Sequence, residues 1–108
     1  MPYRERESVD AVNTAIAAAA SEQVIAGTKN VPNFNNILVV NSDTMEDEVQ
    51  LDNSAAPGRV FKVPAGVIME ISPEEGIRFT TVLHVNNGAG AQTAGAIRYR
   101  AANKERVL

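Results

Sequence analysis

Apolar and polar side chains alternate through residues 58–101, which read GRVFKVPAGVIMEISPEEGIRFTTVLHVNNGAGAQTAGAIRYRA. The alternation occupies residues 60–63, 67–71, 77–85 and 97–100, and Pro-Ala-Gly, Ser-Pro-Glu-Glu-Gly and Asn-Asn-Gly-Ala-Gly separate these segments. A side-chain period of two is typical of strands with one face on a core, and Pro and Gly clusters mark turns. The region therefore predicts four strands.

The same alternation assigns each side chain to a face of its strand. Apolar side chains on the alternate positions are expected in the core: Phe61, Val63, Val67, Met69, Ile71, Ile77, Phe79, Thr81, Leu83, Val85, Ile97 and Tyr99. Val60, Ile68 and Val82 are then apolar and outward. If they lie on one sheet, they form a patch that a lone monomer does not normally expose, which favours an oligomer or a docking surface.

Three further segments, residues 23–28, 37–40 and 48–52, also have the pattern of strands between turn residues. About seven short strands at even spacing predict an all-β fold, an antiparallel β-sandwich or jelly roll. We expect three parts: an N-terminal arm or short helix at residues 1–20, the sandwich at residues 21–101, and a C-terminal tail at residues 102–108.

The N-terminal part has two interpretations. Residues 1–7 have the alternating charges of a flexible arm, and Ser8 is a suitable N-cap for a helix over residues 9–20. Val9, Val12 and Ile16 form one narrow apolar stripe at helical spacing. The alternative is an extended segment that orders only against a neighbour.

Composition limits the function. The chain has 108 residues, a net charge of -3, no cysteine and 5% aromatic residues. This is the size of one domain, and its acidity argues against non-specific nucleic-acid binding. The absence of cysteine excludes disulfides and thiolate metal sites, and no segment is apolar enough for a signal peptide or a membrane span. We expect a soluble protein that binds neither nucleic acid nor membrane.

The candidate reactive groups do not assemble into a motif. The acidic cluster at residues 43–52 fails the EF-hand spacing, so it is interpreted as a solvated rim. His84 is the only histidine and is expected on an outward face, with no second ligand for a metal. The Gly-rich segment at residues 87–91 lacks the Lys of a phosphate loop. Glu74 and Glu75 lie in a turn. The sequence thus predicts no enzyme, no metal and no cofactor.

The run RVFKVPAGVIMEISPEEGI at residues 59–77 and the run AIRYR at residues 96–100 resemble small β-sandwich structural proteins of tailed phages, in particular capsid decoration (cement) proteins. The resemblance implies a non-enzymatic virion protein that assembles in the host cytoplasm, binds a major capsid or other virion protein and stabilises the shell. It also implies a homo-oligomer, with a trimer favoured, and an N-terminal arm that reaches a neighbouring subunit. Matching candidates for partner binding are Tyr3, Arg4, Arg6, Val9, Val12 and Ile16.

Two alternatives remain open: another head-tail or tail component, and a ligand-binding module, for example for carbohydrate. The shortage of aromatic residues counts against the second. On the arm hypothesis, deletion of residues 1–7 leaves a folded domain with weakened attachment.

Overall fold

Two four-stranded antiparallel sheets form the structure, a computed structural model that describes residues 3–26, 33–52, 58–86, 88 and 90–107. The strands are β1 Tyr3–Val12, β2 Ser21–Ala26, β3 Asn36–Asn41, β4 Asp47–Leu51, β5 Val60–Val63, β6 Ile68–Ile71, β7 Thr81–Val85 and β8 Ile97–Arg106. Sheet I has the order β1-β8-β3-β6, and sheet II has the order β2-β7-β4-β5. The predicted all-β antiparallel sandwich is confirmed.

The core lies between the inner faces of the two sheets, as the alternation predicts for most strands. Its largest apolar side chains are all nearly inaccessible: Ile25, Phe34, Ile37, Val39, Val49, Leu51, Val63, Ile71, Phe79, Val82, Ile97 and Tyr99. The Phe34 and Phe79 rings lie 5.5 Å apart between centroids. An isolated β-bridge also joins these two residues, with N–O distances of 2.7 and 3.1 Å. Apolar burial of this kind is the main stabilising contribution to a domain of this size.

The predicted N-terminal helix is wrong, because residues 3–12 form the edge strand β1 of sheet I. β1 pairs with β8 from Tyr3↔Arg106 to Val12↔Arg98, with a bulge between Glu5 and Glu7. A helix with one narrow apolar stripe buries little area, whereas strand pairing satisfies the backbone groups and places alternate side chains against the core. The residues predicted as a free arm are therefore part of the sheet, except for residues 1–2, which lie outside the described residues.

The predicted C-terminal tail is also wrong in its first part. β8 continues through Arg106, and residues 102–106 pair with the first half of β1. Ala102 is fully buried and lies opposite Asn36 of β3. The strand continues because β1 pairs with it through Arg106, and on the other side the Asn35 side chain bonds to both backbone groups of Lys104.

The face assignment predicted for β7 is inverted. Val82 and His84 are fully buried, while Thr81, Leu83 and Val85 are half-buried. At the bend before β7, Asp52 Oδ1 accepts hydrogen bonds from two consecutive amides, Thr80 N at 2.8 Å and Thr81 N at 3.1 Å. This bend shifts the alternation by one residue, and a shift of one residue moves every following side chain to the other face.

The remaining predictions concern loops. A short 3₁₀ helix at Pro73–Glu75 occupies the predicted Ser-Pro-Glu-Glu-Gly turn. Residues 27–28 of the strand predicted at residues 23–28 lie outside the described residues, as do residues 29–32 and 53–57 between predicted strands. Within the part of the chain that is described, no helix has the length and apolarity needed to cross a bilayer.

Candidate interaction surface

The outer face of sheet I carries one cross-strand row that runs over all four strands. The strand registers align Val12, Arg98, Val40 and Ile68 in that order. Residues opposite each other in paired strands point to the same face of the sheet. The row therefore presents three aliphatic side chains and one guanidinium together on the outside of the sandwich.

Two members of this row are unusually exposed for their type. Ile68 is 66% exposed and Val12 is 54% exposed. An open groove of about 480 Å³ lies beside them, and its lining includes Asp10, Val12, Leu38, Val40, Arg98 and Arg100. We call this region, formed by the row and the groove, the sheet I surface. Aliphatic groups gathered on one outer face are a recognised feature of docking sites.

The charges of the sheet I surface are mostly neutralised within it. Arg100 Nη1 donates to both carboxylate oxygens of Asp10 at 2.9 Å, and Arg100 also makes an ion pair with Glu5. The hydrogen bond to Glu5, together with the one to Asp10, raises the pKa of Arg100. The Arg100 hydrogen bond likewise holds the pKa of Glu5 below its usual value. Lys104 Nζ lies 3.7 Å from Glu70 Oε2 at the far edge.

Arg98 is the exception in this arrangement. It is exposed, and among the residues that the structure describes it has neither a salt bridge nor a side-chain hydrogen bond. Its flanking neighbours in the row, Val12 and Val40, carry no charge. The sheet I surface therefore offers one available positive charge in an aliphatic setting.

The outer face of sheet II has a different character. Its registers align Ser21, Val85, Glu48 and Lys62 in one row, and Gln23, Leu83, Gln50 and Val60 in the next. Leu83, Val85 and Val60 are half-buried. Within each row, their neighbours on the adjacent strands are polar. The predicted patch of Val60, Ile68 and Val82 is therefore wrong: Val82 is in the core, and the other two lie on different sheets.

The core holds a polar cluster that the sequence did not predict. Asp47 of β4, His84 of β7 and Tyr99 of β8 meet between the sheets, and each is at most 1% exposed. His84 Nδ1 and Asp47 Oδ1 make a short hydrogen bond. The Tyr99 hydroxyl donates to Asp47 Oδ2 at 2.8 Å and lies 2.9 Å from His84 Nδ1. The expected outward position of His84 and solvated position of Asp47 are both wrong.

Burial decides what this cluster can do chemically. Burial, reinforced by the nearby Asp47 carboxylate, raises the pKa of Tyr99 far above its ordinary value, so its hydroxyl remains protonated and donates. His84 Nε2 is buried and has no hydrogen-bond partner among the described residues. With all three side chains sealed between the sheets, the cluster connects sheet I to sheet II, and a substrate in solution does not reach it.

A second set of buried polar residues fixes the loops at one end of the sandwich. Asn13 Oδ1 accepts from Ile97 N at 3.0 Å, and Asn41 Nδ2 donates to the carbonyl of Val63 at 2.9 Å. Asn86 Nδ2 donates to the carbonyl of Ile16 at 3.0 Å. Such side chains replace backbone partners that irregular segments lack. Among the described residues, no group of three or more His, Cys, Asp or Glu is placed to hold a metal ion.

The candidate partner-binding residues are distributed between β1 and the loop that follows it. Arg4 and Arg6 make ion pairs with Glu105 of β8, and Val9 packs partly against the core. Val12 belongs to the sheet I surface, Tyr3 is half-buried at the start of β1, and Ile16 is half-buried in the loop.

Three residues of the row in the sheet I surface were not among the predicted partner-binding residues: Arg98, Val40 and Ile68. The period-two pattern placed Ile68 and Arg98 outward, but it gave no information on which strands are neighbours.

Comparison of the chain with family models, with curated proteins and with solved structures finds no match. The chemistry of the surface itself is therefore what points to a function.

Proposed function

We propose that the chain is a non-enzymatic structural protein that attaches to another protein through the sheet I surface. The observation that carries the proposal is the row Val12, Arg98, Val40 and Ile68, in which aliphatic side chains and one unpaired guanidinium share an outer face. Docking removes the aliphatic area from water, at about 25 cal/mol per Å² of buried apolar surface. The sandwich serves as the rigid body that presents this face.

The chemistry of the row supports a protein partner of a particular kind. A complementary protein surface carries aliphatic side chains around a carboxylate, which pairs with Arg98 and gives the contact its orientation. A positive charge left without a partner under a docked surface is costly, so proteins that lack the carboxylate are disfavoured. The partner we propose is a shell protein of a virion, a major capsid protein or another virion component, that binds several copies of this chain.

A carbohydrate-binding module has less support. Such modules commonly stack sugars on exposed aromatic rings, and none of the five aromatic side chains is exposed: Tyr3, Phe34, Phe61, Phe79 and Tyr99. The sheet I surface offers aliphatic groups and charges in their place. These groups suit a protein partner better than a glycan.

The test is co-sedimentation with particles purified from the source of the protein. The tagged wild-type chain, Ile68→Asp and Arg98→Glu are mixed with the particles and separated on a density gradient. Gln23→Asp and Lys62→Glu are the matched controls, since both residues are exposed on sheet II. We expect the wild type and both controls to sediment with the particles and the two sheet I variants to remain unbound.

Two results contradict the proposal. One is that the wild type itself fails to sediment with the particles. The other is that Ile68→Asp and Arg98→Glu bind as well as their controls. Circular dichroism of every variant establishes that the sandwich is intact, so loss of binding is not loss of folding.

A further inference from the structure

β1 is anchored to the core less firmly than any other strand. Of the eight described strands, it is the one in which no residue is fully buried. Val9 and Ala11 pack against the core, but their side chains are only partly buried. The burial that stabilises the other strands therefore contributes little to holding β1 in place.

Among the described strands, β1 pairs with β8 alone. The strand ladder runs from Tyr3↔Arg106 to Val12↔Arg98. Ion pairs add to this ladder. Arg100 of β8 makes ion pairs with Glu5 and Asp10 of β1. Glu105 of β8 makes ion pairs with Arg4 and Arg6 of β1. Exposed ion pairs contribute little to stability, but their positions select one sequence in one register. The edge of β8 is thus a binding site specific for the β1 sequence.

The segment after β1 has the properties of a connector. Residues 14–20 contain no strand or helix, and none of their side chains is fully buried. Hydrogen bonds hold the connector to the body, for example Thr14 N to Glu22 Oε1 at 2.7 Å and Ala19 N to the carbonyl of Asn86 at 2.8 Å. Fully extended, seven residues span about 23–25 Å, at about 3.3–3.6 Å each. That length is comparable with the two shorter dimensions of the molecule, 26 and 25 Å.

Asn13 directly follows β1, and its hydrogen bonds also connect it to β8. Its backbone N and its side-chain Oδ1 both bond to Ile97, at the first residue of β8, and its Nδ2 donates to the carbonyl of Thr93 at 3.0 Å. All of these partners lie on or just before β8. A unit of residues 3–13 that moves to a second molecule therefore recovers the same hydrogen bonds there.

We infer that β1 exchanges between copies of this chain, so that β1 of one molecule pairs with β8 of a second. The exchanged and the closed forms contain the same strand ladder and the same ion pairs, so the two differ mainly in the connector and in the entropy of association. High local concentration, as in any assembly that gathers several copies, favours the exchanged form. The inference does not require the sheet I surface to have a partner.

The absence of cysteine gives a direct test with purified protein alone. One protein carries Glu7→Cys in β1, and a second, of different length because of a tag, carries Asn103→Cys in β8. These two positions face each other in the ladder, and neither residue takes part in the ion pairs of β1 and β8 described above. Each protein has a single cysteine, so a disulfide between the two sites has to join two molecules.

The proteins are mixed under reducing conditions over a range of concentrations, incubated, oxidised and separated on a non-reducing gel. We expect the mixed disulfide to exceed, several-fold, the yield from Glu7→Cys mixed with Lys62→Cys, whose cysteine lies on the outer face of sheet II. The excess is expected to grow with concentration. A mixed disulfide no more abundant than in the control at every concentration overturns the inference.

One further variant is a control for folding and strand pairing in the substituted proteins. A single chain carrying both Glu7→Cys and Asn103→Cys has to form its disulfide within the molecule at low concentration. This product establishes that both substituted strands still fold and still pair. With it in hand, the failure of strand exchange leaves the proposed attachment through the sheet I surface untouched.

Discussion

The Tyr99 hydroxyl donates a 2.8 Å hydrogen bond to Oδ2 of Asp47 across the boundary between the two sheets. Tyr99 belongs to β8 of sheet I, and Asp47 belongs to β4 of sheet II. His84 bonds to the other oxygen of the same carboxylate. Apolar side chains tolerate small sliding movements, whereas a buried hydrogen bond is satisfied in few geometries. The bond therefore helps to fix how one sheet lies on the other.

Tyr99→Phe removes the hydroxyl and leaves Asp47 with one donor fewer in a buried position. We expect the free energy of unfolding to fall by about 1–3 kcal/mol, the usual cost of a buried polar group that loses its partner. Urea denaturation followed by circular dichroism measures it. Tyr3→Phe, in the half-buried tyrosine of β1, is the control. Equal stability of the two variants is inconsistent with a structural role of the Tyr99 bond.

The same tyrosine predicts behaviour in alkali. Burial and the Asp47 carboxylate raise the pKa of Tyr99 in the folded protein, while an unfolded tyrosine has a pKa of about 10. A group with a raised folded pKa contributes stability at pH values below its unfolded pKa, and this contribution is lost as the pH rises above it. In Tyr3→Phe, where Tyr99 is the only tyrosine left, tyrosinate absorbance is expected to appear together with loss of the β-sheet spectrum. Absorbance that appears while the protein remains folded contradicts this.

Asp52 predicts a loss of stability in acid. Burial alone raises the pKa of Asp52, but hydrogen bonds from Thr80 and Thr81 and the charge of Arg59 outweigh it and hold that pKa below its usual value. Its contribution is therefore present above the unfolded pKa of about 3.9 and is lost as the pH falls further. Asp52→Asn is expected to be less stable than the wild type near neutral pH. The difference in urea midpoints should shrink towards about pH 2, and a constant difference argues against the carboxylate charge.

The inverted face of β7 is tested by two identical substitutions. Val82 is fully buried, whereas Val85 is half-buried on the other face. Val82→Ala is expected to cost about 2 kcal/mol, because it leaves a cavity in the core. Val85→Ala is expected to cost about 0.5 kcal/mol, as is usual for residues near the surface. The reverse order would restore the face assignment predicted from the sequence.

Deletion of residues 1–7 distinguishes a strand from a free arm. It removes the first half of β1 and leaves residues 103–106 of β8 without their partner. The melting temperature is expected to fall by about 4–8 °C for each kcal/mol lost, as differential scanning calorimetry would measure. A melting temperature identical to that of the full chain is the result expected for an arm that only docks.

The sequence predicts local structure well where one face of a strand meets the core. The alternation at Val49 and Leu51 and at Ile97 and Tyr99 places these side chains correctly, since burial of alternate residues is what produces the pattern. It fails at β7 because the alternation shifts by one residue at the bend around Thr80, where the hydrogen-bond acceptor is Asp52, a residue distant in sequence. A long-range hydrogen bond leaves no periodic trace.

The sheet I surface could not be predicted from the sequence, because it also depends on contacts between distant parts of the chain. Val12 and Ile68 fall at the two ends of one row only because β1, β8, β3 and β6 pair in that order. The order depends on the competition among all strands, and a single sequence does not encode it in any local pattern. A helix from residue 9 was one of the two interpretations of this segment because Val9 and Val12 also fit a spacing of three to four.

The pairing of β1 with β8 also affects how the chain is made. β1 is translated first of the eight strands, and its partner is translated last, so sheet I is completed only after nearly all described residues have left the ribosome. Contacts between distant parts of a chain form slowly, and unpaired edges then invite aggregation. The alternating charges of Arg4, Glu5, Arg6 and Glu7 act as gatekeepers during this interval, because charged edges are poor templates for aggregation. Three of these four side chains, those of Arg4, Glu5 and Arg6, are also the ones that form ion pairs with β8 in the finished sheet.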